Sequence, residues 1–269
     1  MPELPEVEVS RLGITPHIEQ QQVLKVTVRN PSLRWQVPED VQLLVGQTIV
    51  AIKRRAKYLL LETKVGSAIL HLGMSGKLRV IDSNISPEKH DHIDIEFSNG
   101  KVLRYNDPRR FGAFLWQAPD TQHELLTKLG PEPLTDDFTQ DWLFDHSRKK
   151  STVVKNFIMD NHVVVGVGNI YANESLFKAG IDPRKPAKEV NQTQYQKLTH
   201  HIKQTLAEAI KQGGTTLKDF TQTDGNPGYF AQELLVYGRA GKPCVRCEAP
   251  LEQVKIGQRA TVYCSSCQQ

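Results

Sequence analysis

No apolar run in the 269 residues approaches the roughly 20 needed to cross a bilayer, so no helical membrane span is expected. The proline-bearing, acidic start also lacks the basic and apolar segments of a secretory signal, and the expected compartment is the cytoplasm. Internal repeats and low-complexity tracts are absent. Cysteine is scarce: there are four, all between Cys244 and Cys267. Strong net charge is missing too, at +4, but the balance is uneven. Residues 1–147 hold 17 Lys/Arg against 20 Asp/Glu, whereas residues 148–269 hold 17 against 10, so the second half is the expected polyanion face.

Hydrophobic content of 39% and charged content of 24% describe a globular chain long enough for two domains and an appendage. After a first helix over 5–20, period-2 patterns predict short strands at 23–28, 48–54, 58–63, 67–72, 78–81, 92–97, 102–105 and 113–116. Gly, Asn and Pro punctuate them, as in an antiparallel β-sandwich or flattened barrel. Asn99-Gly100 is the clearest hairpin turn. From about Asp120 the pattern turns helical, over 121–129, 138–147, 153–160, 169–179 and 192–211, with Gly130-Pro131-Glu132-Pro133 as a linker. The fold class expected is α+β multidomain, mainly β and then mainly α.

Cys244-x2-Cys247 and Cys264-x2-Cys267, sixteen residues apart, match a tetrahedral four-thiolate zinc site. Disulfides are the alternative, but cytosolic thiols stay reduced. A closed four-thiolate site leaves no position for water, so this zinc is structural. Between the knuckles, 253–263 read as two strands around a Gly-containing turn followed by Arg259. That guanidinium suits bidentate phosphate recognition, or simply faces solvent.

The opening Met1-Pro2-Glu3-Leu4-Pro5-Glu6 offers two readings. Removal of Met1 would leave Pro2 with a secondary amine of ordinary pKa near 7.7 to 8.0, a nucleophile that forms an iminium with an aldehyde-like carbon. Glu3 beside it would move protons. The plainer reading is a helix start, with Pro5 in the first turn and acids at its positive end. Val165-Gly166-Val167-Gly168-Asn169 opens a helix and suits phosphate or plain packing. Lys149, Lys150 and Lys155 just upstream suit a nucleic-acid backbone or a solvated face.

In the β half, Lys57 sits at the start of a strand, placed at a domain edge for phosphate or proton transfer, or simply solvated at the surface. Met74 in His71-Leu72-Gly73-Met74-Ser75-Gly76 and Phe111 in Asp107-Pro108-Arg109-Arg110-Phe111-Gly112 occupy glycine-flanked loops. Such side chains are usually core, but they also suit wedges that fill the gap left by an extruded base. His90, Asp91 and His92 are short of a complete metal site, so His90 reads as a phosphate donor or a surface residue. Residues 213–228 read as a polar lid or linker.

Together, PELPEVE, RRAKYLLLE, HLGMSG, DPRRFG, VGVGNIY, GGTTLKDF, GYF, VYGR and the cysteine knuckles resemble the bacterial formamidopyrimidine-DNA glycosylase family along nearly the whole chain. Val9 and Leu12 depart from the expected pattern, where threonine and a second basic residue are usual, and bear only on packing of the first helix. The resemblance implies an N-terminal β-sandwich (1–130), a helix-two-turn-helix domain (131–234) and a β-hairpin zinc finger (235–269), clamping duplex DNA; nothing in the sequence suggests more than a monomer. The resemblance also implies removal of oxidised purines followed by β- and δ-elimination at the abasic site. Pro2 is then the nucleophile on C1′ and Glu3 its acid/base partner, while Lys57 and Arg259 grip phosphates and assist elimination. His90, Arg109, Lys150 and Asn169 contact DNA. Met74, Arg109 and Phe111 fill the gap and test the opposite base, and Lys218 lies in the loop that closes on the lesion. Endonuclease VIII is the sister family, but its start usually reads PEGPE. A non-catalytic nucleic-acid-binding zinc protein is the rival from another class, opposed by intact Pro2, Glu3 and Lys57.

Overall fold

The computed structural model describes residues 2–213 and 234–269. Two compact units emerge, one running to Thr127 and the other built from Lys128–Lys211 and the described residues from 234 onward.

The first unit begins with helix α1 (Leu4–Ile18) and continues through eight strands: β1 (Val23–Val28), β2 (Ala51–Arg55), β3 (Tyr58–Thr63), β4 (Gly66–His71), β5 (Lys77–Asp82), β6 (Asp91–Phe97), β7 (Lys101–Asn106) and β8 (Ala113–Gln117). They form two four-stranded antiparallel sheets, ordered β1-β6-β7-β5 and β2-β3-β4-β8. Alternating residues of both sheets, among them Leu59, Leu61, Ile93, Ile95 and Phe114, share one core with Val7, Ile14 and Ile18 of α1. Burying apolar surface at about 25 cal/mol per Å² is what drives the two sheets and the helix together. Gly100 takes φ +79° at the predicted Asn99-Gly100 turn, while the Asn99 carboxamide accepts the Lys101 N–H.

The second unit holds α2's successors: after α2 (Glu124–Thr127) at the end of the first unit come α3 (Gln140–Ser147), α4 (Val154–Ile158), α5 (Asn169–Ala179) and α6 (Gln192–Lys211). A hairpin of β9 (Glu252–Ile256) and β10 (Arg259–Tyr263) packs with them. Its core joins Phe177 of α5 to Val236, Leu251, Val262, Cys244 and Cys264. Helix α5 ends at Gly180, whose left-handed φ of +72° lets its N–H return to Leu176 and Phe177.

Helices α5 and α6 have the bounds expected from sequence, whereas several other elements are shorter, among them α1, α3 and α4, expected over 5–20, 138–147 and 153–160. The helix expected over 121–129 contracts to α2 because Asp120 turns to φ +57° and the His123 N–H is taken by the Gln117 side chain. The strand expected from residue 48 begins at Ala51, since Ile49 exchanges its backbone hydrogen bonds with Gln20 and Gln21 instead of with β3. A 3-10 helix over Glu39–Leu44, absent from the sequence reading, buries Val41 and Leu44.

Candidate nucleic-acid interface and metal centre

Helix α1 starts at Leu4, with Pro5 in its first turn, where a missing N–H costs nothing. Glu3 is the N-cap residue: its N–H donates to Glu6 Oε2 at 2.8 Å, and the two carboxylates complete a reciprocal capping box. Pro2, Glu3 and Glu6 are all buried. One turn on, Glu8 accepts from Arg11 at 2.6 Å and from Arg54 at 2.9 Å. Burial pushes the Glu8 carboxyl up, but the hydrogen bonds and charges of Arg11 and Arg54 outweigh it and hold it below its ordinary value.

Arg54 also donates to the Ala56 carbonyl at 3.0 Å. Ala56, at φ +53°, makes the tight turn between β2 and β3 that carries Lys57. Glu8 therefore ties the start of α1 to the Lys57 turn within one unit. Lys57 itself is 9% exposed, so the solvated edge position considered from sequence is corrected to a largely buried one.

The loops bearing Met74 and Arg109-Phe111 are held face to face. Asp107, fully buried, accepts from Ser75 Oγ at 2.7 Å and the Arg109 N–H at 3.3 Å on Oδ1, and from Tyr105 Oη at 3.0 Å and the Gly112 N–H at 2.9 Å on Oδ2. Gly73, at φ +62°, lies so close to Phe111 and Gly112 that a Cβ would collide with their backbone. Arg109 places its guanidinium 4.8 Å over the Phe111 ring, and both side chains are exposed. With Ser32, Leu33, Arg34 and Arg110 they line an open hollow of about 470 Å³.

His71, at the end of β4, stacks on Tyr58 and accepts the Gly73 N–H on Nδ1 at 3.0 Å. Burial, assisted by the Lys57 and Arg34 charges, lowers its pKa to about 4, so the ring is neutral at physiological pH. His90 takes φ +73° ahead of β6 and is half-buried. The metal site weighed for His90, Asp91 and His92 is not formed. Asp91 is ion-paired to Arg79 at 2.9 Å and to Arg104 at 3.6 Å, and His92 Nε2 meets the Asp107 carbonyl at 2.8 Å.

In the second unit, α4, the start of α5 and the β9-β10 hairpin converge on Lys155. This lysine is fully buried, which corrects its reading as a backbone-binding surface cation. Its Nζ donates to Asn169 Oδ1 at 2.6 Å, Thr261 Oγ1 at 2.6 Å and the Ala260 carbonyl at 3.3 Å. Asn169 in turn donates to the Ala260 carbonyl at 3.1 Å, and Asn173 accepts the Val262 N–H at 2.8 Å. Buried Glu174 accepts the N–H groups of Leu235, Val236 and Tyr237. At the hairpin turn, Gly257 and Gln258 both take positive φ, +55° and +63°, as a two-residue turn of this twist requires. Arg259 follows directly and is exposed, as is Lys150 after α3.

Among the described residues, only Cys244, Cys247, Cys264 and Cys267 are placed to hold a metal, with ligand atoms all within 4.8 Å of one another. Sγ separations of 4.0 Å (Cys244 to Cys267) and 3.5 Å (Cys247 to Cys264) suit a tetrahedron with Zn–S bonds of about 2.3 Å, whose edges are about 3.8 Å. Hydrogen bonding with Cys247, burial and the other sulfurs push the Cys267 thiol up to about 12. Deprotonating Cys267 is favoured by a cation beside it, as metal binding to thiolates supplies. The four thiolates would hold one structural zinc ion, leaving no ligand position for chemistry.

Sequence reasoning passed over Asp107, Asn173, Glu174 and the Arg54-Glu8 pair. An acid before Pro108 does signal a turn, and the Arg110 N–H indeed returns to the Asp107 carbonyl at 3.2 Å, but nothing in the pattern reveals the partners from Ser75 and Tyr105. Lys218, expected in a closing loop, lies outside the described residues.

Three family models match the chain: the formamidopyrimidine-DNA glycosylase N-terminal domain over residues 1–114, the H2TH domain of the same enzymes over 129–221, and a zinc finger found in FPG and IleRS over 241–269. The formamidopyrimidine-DNA glycosylase of Photobacterium profundum is 62% identical over 268 residues, covering 100% of both chains. A complex of wild-type Lactococcus lactis Fpg (MutM) with DNA containing N7-benzyl-Fapy-dG superposes with a TM-score of 0.91 at 34% identity, covering 100% of each chain. A complex of the same bacterium's Fpg with DNA containing an abasic site superposes at 0.91 with 33% identity, covering 99% of each.

Proposed function

The chain belongs to the formamidopyrimidine-DNA glycosylase family, and from that premise we propose that it excises oxidised purines from duplex DNA and then cleaves the abasic strand. The observation that carries this reading is the full-length match, spanning all three modules, with a proline at position 2 immediately ahead of a capped helix. Solved relatives that hold DNA with a formamidopyrimidine lesion or an abasic site support the substrate class.

In this mechanism the lesion nucleotide leaves the stack, which costs least where damage has weakened pairing. With Met1 removed, the free Pro2 amine forms a bond to C1′ as the C1′–N bond to the base breaks, and the base leaves carrying the proton that the amine gives up. Glu3 protonates the ring oxygen, the sugar opens, and an iminium forms. Loss of a C2′ proton expels the 3′ phosphate, a second elimination expels the 5′ phosphate, and hydrolysis of the iminium releases Pro2. Lys57 and Arg259 hold phosphates during the eliminations. His90, Lys150 and Asn169 grip the backbone, Met74, Arg109 and Phe111 fill the vacated space and read an opposing cytosine, and Lys218 belongs to the closing loop. The functional division is 1–130, 131–234 and 235–269, acting as a monomer in the cytoplasm.

Borohydride trapping on a duplex with 8-oxoguanine opposite cytosine, beside a thymine-glycol duplex, tests this. The expected result is a covalent adduct at Pro2, strongest with the purine and lost in Pro2→Gly. Nicking retained by Pro2→Gly would overturn the proline mechanism, and stronger trapping on the pyrimidine would move the substrate to that of the sister family.

A further inference from the structure

We propose that Asp107 is a positioning residue that locks the wedge loops and the His90 turn into one body, so that the phosphate grip and the reading of the opposite base keep a fixed offset. The proposal deepens the functional reading above and rests on its assignment of Met74, Arg109, Phe111 and His90.

Three segments that lack regular secondary structure meet at this one residue. The loop after β4 reaches it through Ser75 Oγ, on Oδ1 at 2.7 Å. The loop after β7 folds around it, with the Arg109 N–H on Oδ1 and the Gly112 N–H on Oδ2. The turn before β6 is attached through the main chain: the Asp107 N–H donates to the His90 carbonyl at 3.1 Å, and His92 Nε2 lies 2.8 Å from the Asp107 carbonyl. Tyr105 Oη closes the set at 3.0 Å on Oδ2.

A carboxylate at zero exposure is unstable without such donors, and four of them converge here. The arrangement is stiff as well as satisfied. Met74 lies between Gly73, which touches the Phe111 and Gly112 backbone, and Ser75, which is bonded to Asp107. Moving Arg109 or Phe111 outward therefore breaks bonds that also hold Met74. Displacements of an ångström in a positioning group are enough to cost orders of magnitude in rate.

None of these contacts involves Pro2, Glu3 or Lys57, so the consequence is selective. Weakening the junction should leave attack on a ready-made abasic aldehyde intact while blurring recognition. The test uses a Ser75→Ala/Tyr105→Phe double variant, which removes two donors and keeps the carboxylate, with Asp107→Asn alongside and melting temperatures recorded for each. The expected result is about a tenfold fall in the preference for cytosine over adenine opposite 8-oxoguanine, measured as kcat/KM, with borohydride trapping on a preformed abasic site within about twofold of the parent. An unchanged cytosine-to-adenine ratio in both variants overturns the proposal, as does parallel loss of excision and abasic-site trapping. Met74→Ala and Phe111→Ala, run in the same assay, separate the two levels. If they lose discrimination while the junction variants do not, the wedge reading stands and the junction fails. If they too leave it unchanged, the wedge reading and the junction fall together.

Discussion

Asp107 in the sheet unit and Lys155 in the helical unit are both fully buried, and they hold their surroundings by opposite chemistry. The carboxylate collects hydroxyl and amide donors from loops that leave β-strands. The ammonium hands its protons to an amide oxygen, a hydroxyl and a carbonyl, joining α4 to the start of α5 and to β10. In both units the charge stands where regular backbone pairing stops and where residues expected at DNA are mounted. Irregular backbone has unpaired polar groups, and one buried ion can satisfy several of them at once while fixing their mutual geometry. The units differ in what else braces those places: the sheet unit relies on glycine contacts, whereas the helical unit adds a metal.

That difference is broken most severely by removing the zinc. Apparent binding free energies of such sites are on the order of 10 kcal/mol. Chelation, or Cys264→Ser, should unfold the β9-β10 hairpin and release Arg259, abolishing DNA binding in a gel-shift assay while far-ultraviolet circular dichroism still reports the strands of the first unit. Binding that survives chelation would mean that the hairpin needs no metal. The next effect concerns the two ions themselves. Lys155→Met strands three oxygen acceptors and Asp107→Leu strands four donors, so each should cost about 3 to 5 kcal/mol in urea unfolding. If only one of them is destabilising, the parallel between the units fails.

The smallest effects are in the acid limb. Burial raises the Asp94 carboxyl, but hydrogen bonds from Arg104 and Arg29 outweigh it and leave it below its ordinary value. A depressed carboxyl contributes stability fully above its unfolded pKa near 3.9 and loses it as pH falls through the lower folded value. Arg29→Ala should shift that loss upward in pH. His71, whose pKa is lowered to about 4, is a base held neutral, so its contribution is complete above about 6.5 and fades as pH falls toward 4. Replacing His71 by leucine should flatten the stability curve in that window, measured by thermal melting, and leave the slope below it unchanged.

Much of this was legible in the sequence because it follows local rules. Helix α5 starts where two glycines release the backbone and stops at Gly180. The Asn99-Gly100 hairpin and the paired cysteine knuckles are likewise written in adjacent residues. What local rules miss is partnership across the chain. Lys155 belongs to a basic run on paper, yet its partners lie 14, 105 and 106 residues away. Asp107 reads as an ordinary turn acid until Ser75, 32 residues earlier, is folded against it. Periodicity shows which face of an element is apolar, and gives no sign of which loop will cross another.

The paired glycines at 73 and 112 limit how this protein can diversify over generations. A side chain at either position would strike backbone or the Tyr105 hydroxyl, so neither glycine can be replaced without displacing the loop that carries it. Met74, Arg109 and Phe111 project from that fixed frame, and exchanging them leaves its backbone contacts in place. Under the proposed wedge role of these three side chains, altered lesion or partner-base preference would be reached by swapping the tips of the tool, with the handle inherited unchanged.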